Sequence, residues 1–157
     1  MVKYASVSQI DLAALKAAGI RGLLLDADNT VSRWRAPRAE EQAKRFILEA
    51  KAQGFLPILV SNSDRERLLP LAEDLDIPFA SRCLKPLPFR LFSVCRKLGC
   101  RPRECAFIGD QLLTDMLCAL LCGAKPVLVE PIDPSSEFKG TRINRRIESV
   151  IKRILRI

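Results

Sequence analysis

No histidine occurs among the 157 residues. A Ser-His-Asp or Cys-His mechanism is therefore impossible, and acid–base work falls to carboxylates, lysine, tyrosine or water. Six cysteines are present, Cys83, Cys95, Cys100, Cys105, Cys118 and Cys122, yet no two form a Cys-x-x-Cys pair. A mixed Cys/His zinc site is excluded, and an all-cysteine site would lack the usual paired ligands. Several of these thiols sit in apolar runs, where they pack as small hydrophobes and point to a reducing, cytoplasmic setting. Aromatic residues make up only 6% of the chain, few for stacking on single-stranded nucleic acid. No segment approaches the ~20 apolar residues of a membrane span, and the first residues lack the apolar core of a signal peptide. The expectation is a soluble or peripheral protein.

What is present is an aliphatic interior and a surplus of positive charge. The hydrophobic fraction is 48%, ample for a packed core, and the length suits a single domain over residues 1–157. Lys and Arg number 26 against 18 Asp and Glu, a formal charge of +8. Such a surface attracts anions, whether lipid, nucleic acid or phosphorylated metabolite.

The hydrophobic pattern switches repeatedly between two periods. Leu12, Leu15 and Ile20 suggest a short helix after Asp11, closed by Gly19. A brief apolar run from Gly22 to Asp26 reads as a strand covered on both faces. Helices are predicted over 39–53, 64–74, 88–98 and 112–121, and strands over 55–60, 78–81, 105–109 and 126–129. A last helix is predicted from about Thr141. This alternation argues for an α/β protein with three layers, a central parallel sheet between helices. Ligands in such sheets bind beyond the carboxyl ends of the strands.

Polar residues gather at those ends. Asp26, Asp28 and Thr30 follow the first predicted strand; Ser61, Asn62 and Ser63 follow the second; Lys85 comes after the third; Gly109, Asp110, Thr114 and Asp115 follow the fourth. Singly each has a plain reading: an Asp-x-Asp turn, a helix cap at 61–64, a surface lysine, a strand-to-helix turn. Together they make an oxygen-rich site, because carboxylates crowded at one place favour a cation that offsets their repulsion. Hard oxygen ligands with open water positions suit Mg²⁺. Asp26 is the candidate nucleophile on a phosphate monoester and Asp28 the candidate acid–base group. The Ser61 hydroxyl, the backbone or side-chain amide of Asn62 and the Lys85 ammonium are candidates to hold phosphoryl oxygens. Lys85 is also expected to pair with the group formed by Asp110 and Asp115.

These residues resemble the motifs of the haloacid dehalogenase-like (HAD) superfamily of phosphohydrolases. Asp26 to Thr30 matches the first motif, Ser61 the second, Lys85 the third and the stretch from Gly109 to Asp115 the fourth. More closely, the chain is similar to subfamily IIIA, the YqeG-like group related to mitochondrial and plastid phosphatidylglycerophosphate phosphatases. Asp28 to Thr30, Val60 to Asn62, Lys85-Pro86, the fourth motif and Thr141 to Arg146 sit where that group has them. The resemblance implies a Rossmann-like fold with the first-motif strand central, no cap domain, and a Mg²⁺ held by the side chains of Asp26 and Asp110 and the Asp28 backbone carbonyl; Asp115 joins the metal group on the reading of the residues themselves. It further implies an open site, which favours a large substrate, a lipid headgroup at a surface, or closure by a partner subunit. After Asp115 the chain departs from the group, running Met116, Leu117, Cys118, Ala119 where relatives carry a Gly-Asn or Ala-Asn pair.

Near the C-terminus Ile143, Ile147, Val150, Ile151 and Ile154 share one helical face flanked by Arg and Lys. That pattern fits packing on the sheet, and it also fits peripheral contact with an anionic membrane. The leading expectation is hydrolysis of a phosphate monoester such as phosphatidylglycerophosphate. The alternatives are a phosphatase for soluble metabolites, nucleotides or phosphoproteins, and a basic RNA- or ribosome-binding module with vestigial activity. Oligomerisation is left open.

Overall fold

The computed structural model describes residues 1–135, so the helix expected from Thr141 lies outside the described residues. Six strands form one sheet: β1 (Val2–Tyr4), β2 (Gly22–Leu25), β3 (Leu56–Val60), β4 (Phe79–Ala80), β5 (Cys105–Gly109) and β6 (Lys125–Val129). Their order is β1-β6-β5-β2-β3-β4, and every neighbouring pair is parallel. The strand that leads to Asp26 is therefore central, as expected. β1 was not anticipated, since three residues with only Tyr4 partly buried carry too little pattern to read.

Helices cover both faces. On one side α1 (Leu12–Ala17), α2 (Glu41–Ala52) and α3 (Arg65–Leu75) pack on Leu23, Leu25, Leu59, Ile108 and Val127. On the other, α4 (Phe89–Lys97) and α5 (Leu117–Cys122) pack on Leu24, Ile58, Val60 and Phe107. Alternate residues of each strand thus enter opposite layers, which is why β2 and β5 are continuous apolar runs. Leu23, Leu24 and Leu25 are wholly buried, and each such side chain contributes about 1.5–3 kcal/mol on leaving water.

The helix ends follow their local chemistry. The Asp11 carboxylate accepts from the Ala14 N–H at 2.9 Å and caps α1, a bond worth about 1 kcal/mol. Gly19 and Gly54 close α1 and α2 with φ of +76° and +87°, a region a side chain would make strained. Only α2 lies between β2 and β3, so no second domain covers the strand ends among the described residues. No helix there is long and apolar enough to cross a membrane.

Candidate active site

The carboxyl ends of β2, β3 and β5 lie side by side, with the turn after β4 brought over them. Asp26 extends β2 by one residue, its N–H donating to Ile108 O at 2.9 Å. The chain then turns sharply. Asn29 takes the left-handed conformation at φ 63°, and the Asn29 N–H donates to Ser32 O at 2.7 Å. This turn points Thr30 back across the sheet, where its hydroxyl donates to Asp110 Oδ1 at 3.2 Å.

Asp110 and Asp115 enter from the end of β5. The predicted helix over 112–121 starts instead as a π-helical turn, Leu112–Met116, before α5 takes over. One extra residue in the turn swings Asp115 inward and under Gly109. A Cβ at Gly109 would collide with the Asp115 carboxylate, so glycine is required there by close approach rather than by backbone dihedral. Asp115 Oδ2 accepts from the Gln111 N–H at 3.1 Å.

Lys85 ties the two groups together. Its ammonium donates to Asp26 Oδ1 at 2.5 Å, to Asp115 Oδ1 at 2.7 Å and to Val60 O at 3.3 Å. It also lies 5.3 Å from the centre of the Phe107 ring. Its expected pairing is thus found with Asp115 and extends to Asp26. Asn62 fixes the lysine's backbone: Asn62 Oδ1 accepts from the Lys85 N–H at 2.7 Å and Asn62 Nδ2 donates to Lys85 O at 3.1 Å. The side chain is thereby used as a clamp on the Lys85 backbone. Ser61 is buried, and its Oγ accepts from the Ser63 N–H at 3.1 Å. Asp64, at the cap position of α3, makes no cap bond and pairs with Arg82 at 2.6 Å.

Asp28 stands apart from the acidic group. Its Oδ1 accepts from Arg67 Nη2 and from the Arg35 N–H, both at 2.7 Å, leaving Oδ2 outside both bonds. Arg67 was not singled out in the sequence, because nothing at its position on α3 signals a reach of 39 residues back to Asp28. Its Nε and Nη1 are buried with no hydrogen-bond partner among the described residues. Beside Asp28 lies a cavity of about 300 Å³ lined by Asp28, Trp34, Arg35, Ser63, Asp64 and Arg67.

Asp26, Asp110 and Asp115 are all buried and offer oxygens within 4.8 Å of one another. Burial pushes the Asp26 carboxyl well above the ordinary carboxylate range; Lys85 opposes this, while Asp115 and Asp110 add to it. Burial alone would lower the Lys85 ammonium, but the Asp115 and Asp26 carboxylates outweigh it and raise its pKa. Among the described side chains one ammonium faces three carboxylates, a local surplus of acidic groups in a buried place. A divalent cation fits that surplus, and the all-oxygen donor set suits a hard one. The thiols are no competitors as nucleophiles: all six are free and buried, and burial pushes Cys118 up to about 12.

Residues 82–131 match the HAD-hydrolase-like family model. The "Probable phosphatase YqeG" of Bacillus subtilis strain 168 is 34% identical over 85% of this chain and 77% of its own length. The chloroplastic phosphatidylglycerophosphate phosphatase 1 of Chlamydomonas reinhardtii is 30% identical over 90% of this chain, which spans only 56% of that relative. Among solved structures, a HAD family hydrolase from Deinococcus radiodurans with bound phosphate and sodium superposes with a TM-score of 0.65. It covers 87% of this chain and 96% of its own at 14% identity, a likeness of fold. With the acidic strand ends and these relatives together, the chain belongs to the HAD phosphatases, phosphoric monoester hydrolases, on the branch that holds YqeG and the plastid enzyme.

Proposed function

We propose that the chain hydrolyses a phosphate monoester through an aspartyl-phosphate on Asp26, with Mg²⁺ as its cation and phosphatidylglycerophosphate as its substrate. The observation that carries the reading is the buried group of Asp26, Asp110 and Asp115 bridged by Lys85. Mg²⁺ would be held by those carboxylates and the Asp28 backbone carbonyl, and its charge would offset that of the phosphate.

Lys85 occupies Oδ1 of Asp26, which leaves Oδ2 to attack phosphorus. As the new P–O bond forms, the bond to the leaving oxygen breaks and Asp28 Oδ2 delivers its proton to that oxygen. Asp28 then takes a proton from water, whose oxygen attacks the phosphoryl group and frees Asp26 and phosphate. Arg67 and Arg35 hold Asp28 on the side of the leaving group. The Asn62 backbone N–H, the Ser61 hydroxyl and Lys85 face the phosphoryl oxygens and stabilise the charge that builds on them.

The lipid reading rests on the kinship with the plastid enzyme and on a site that no second domain covers among the described residues. The cavity beside Asp28, with Arg35 and Arg67 in its wall, suits a leaving group that itself carries a phosphodiester. The test is phosphate release from phosphatidylglycerophosphate in mixed micelles and from an aryl phosphate, with and without Mg²⁺. The expected result is release from both that needs the metal and falls by orders of magnitude in Asp26→Asn. Release from the aryl phosphate alone would refute the lipid; release unaffected by Asp26→Asn would refute the nucleophile.

A further inference from the structure

Twelve large apolar side chains stand exposed among the described residues, and seven of them belong to two short stretches beside the candidate site. Leu84 and Leu87 flank Lys85 on the loop after β4, 63% and 50% exposed. Phe89 and Phe92 form a stripe along α4, 72% and 44% exposed. Leu117, Leu120 and Leu121 form the outer stripe of α5, which begins two residues after Asp115.

The two helices lie side by side on the same face of the sheet. The inward residues Leu91, Val94 and Cys95 of α4 share one core with Cys118, Ala119 and Cys122 of α5. The Cys118 thiol of α5 donates to Leu87 O at 3.5 Å, tying that helix to the loop before α4. The apolar stripes therefore belong to one surface, running from the rim of the site down the outside of α4 and α5.

Its charge is one-sided. From residue 82 to residue 103 there are seven Lys or Arg and no Asp or Glu. Lys85 is buried; Arg82, Arg90, Arg96, Lys97, Arg101 and Arg103 are exposed. Pairing this face with itself in a second copy would set Arg90, Arg96 and Lys97 of α4 against their own kind. A bilayer rich in anionic headgroups instead takes the aromatic and leucine side chains into its interface and neutralises the surrounding cations.

We propose that the outer face of α4 and α5, with the loop carrying Leu84 and Leu87, is the surface by which the protein docks on an anionic membrane. Docked so, the rim of the site meets the headgroup layer, and a phosphate monoester on a lipid reaches Asp26 without leaving the bilayer. This deepens the lipid-phosphatase reading and rests on it for its purpose, though not for its measurement.

The test is co-sedimentation of the full chain with phosphatidylcholine vesicles, with and without phosphatidylglycerol. Three variants are compared with wild type: Phe89→Asp/Phe92→Asp, Leu120→Asp/Leu121→Asp, and Leu48→Asp, which adds an acid to the exposed Leu48 on α2, across the sheet. A Phe89→Ala/Phe92→Ala pair reads the same surface with no added charge. Far-ultraviolet circular dichroism and an unchanged melting transition report that each variant is folded.

Wild type and Leu48→Asp should partition onto the anionic vesicles, less so in high salt, while both α4 pairs and the α5 pair bind about tenfold or more weakly. Equal binding by all variants, or none by wild type, would overturn the docking surface. So would a wild-type dimer that the α4 and α5 variants dissolve without any vesicle binding. Vesicle binding that depends on Phe89 and Phe92 in a protein inactive on every phosphate would uphold the surface and refute the phosphatase reading instead.

Discussion

Lys85 stands between Asp26 and Asp115, while Asp110 adds a third carboxylate to the same buried space. This imbalance makes a prediction about stability that does not require turnover. In the metal-free fold burial raises the Asp26 pKa, so the folded state holds that proton at a pH where the unfolded chain has released it. Between the ordinary carboxylate range and the raised value the folded state binds more protons, so stability falls as pH rises through that window. A divalent ion on the same oxygens removes this penalty. The rise in melting temperature on replacing chelator with Mg²⁺ should therefore grow as pH rises from the ordinary carboxylate range upward. In Asp26→Asn most of that pH dependence should vanish. A magnesium shift that is flat with pH, or unchanged in the variant, would count against a cation on Asp26. At this scale the sequence was informative because carboxylates beyond apolar strands have few reasons to be there. It was silent on Arg67, whose contact with Asp28 is created by the fold, and it left open whether the backbone or the side-chain amide of Asn62 serves a ligand, where the fold uses the side chain to clamp Lys85.

Elements set the distances that residues then use. The strands β2, β3 and β5 were legible because burial on both faces leaves an unbroken apolar run, and their helices because the 3.6-residue period repeats over two or more turns. Two features were not. β1 is too short and too exposed to show a period, and the π-helical turn at Leu112–Met116 keeps the same apolar composition as an ordinary helix start. The turn nonetheless decides where Asp115 lands, and Gly109 is the residue that makes room for it. In Gly109→Ala the new methyl group displaces the Asp115 carboxylate from Lys85 and the Gln111 N–H. Overpacking of this kind costs about 1–3 kcal/mol, and a misplacement near 1 Å of a side chain that positions Lys85 costs about a hundredfold in rate. The variant should melt lower and lose about a hundredfold in kcat/KM on an aryl phosphate while keeping its far-ultraviolet circular dichroism. Activity within a few-fold of wild type would mean that Asp115 does not depend on this close approach.

Taken whole, the sequence carries a formal charge of +8, while the side chains of the site itself sum to negative. Attraction of a phosphate dianion from solution must then come from the wider surface, since Asp26, Asp110 and Asp115 repel it at close range until a cation is in place. Long-range attraction of this sort is screened by salt: the Debye length shrinks from about 30 Å at ~0.01 M to about 3 Å at ~1 M ionic strength. Encounter is affected and chemistry is not, because the proposed phosphate site lies beside buried groups that mobile ions do not reach. With Mg²⁺ kept saturating, kcat/KM for a soluble dianionic aryl phosphate should fall about three- to tenfold across that range while kcat stays constant. The measurement is a set of saturation curves at fixed pH, with salt varied by a chloride that does not compete for the metal. If kcat/KM is flat, the positive surface is not steering substrate. If kcat falls in parallel, salt is acting inside the site, and the balance of Lys85 against its three carboxylates is less sheltered than their burial implies.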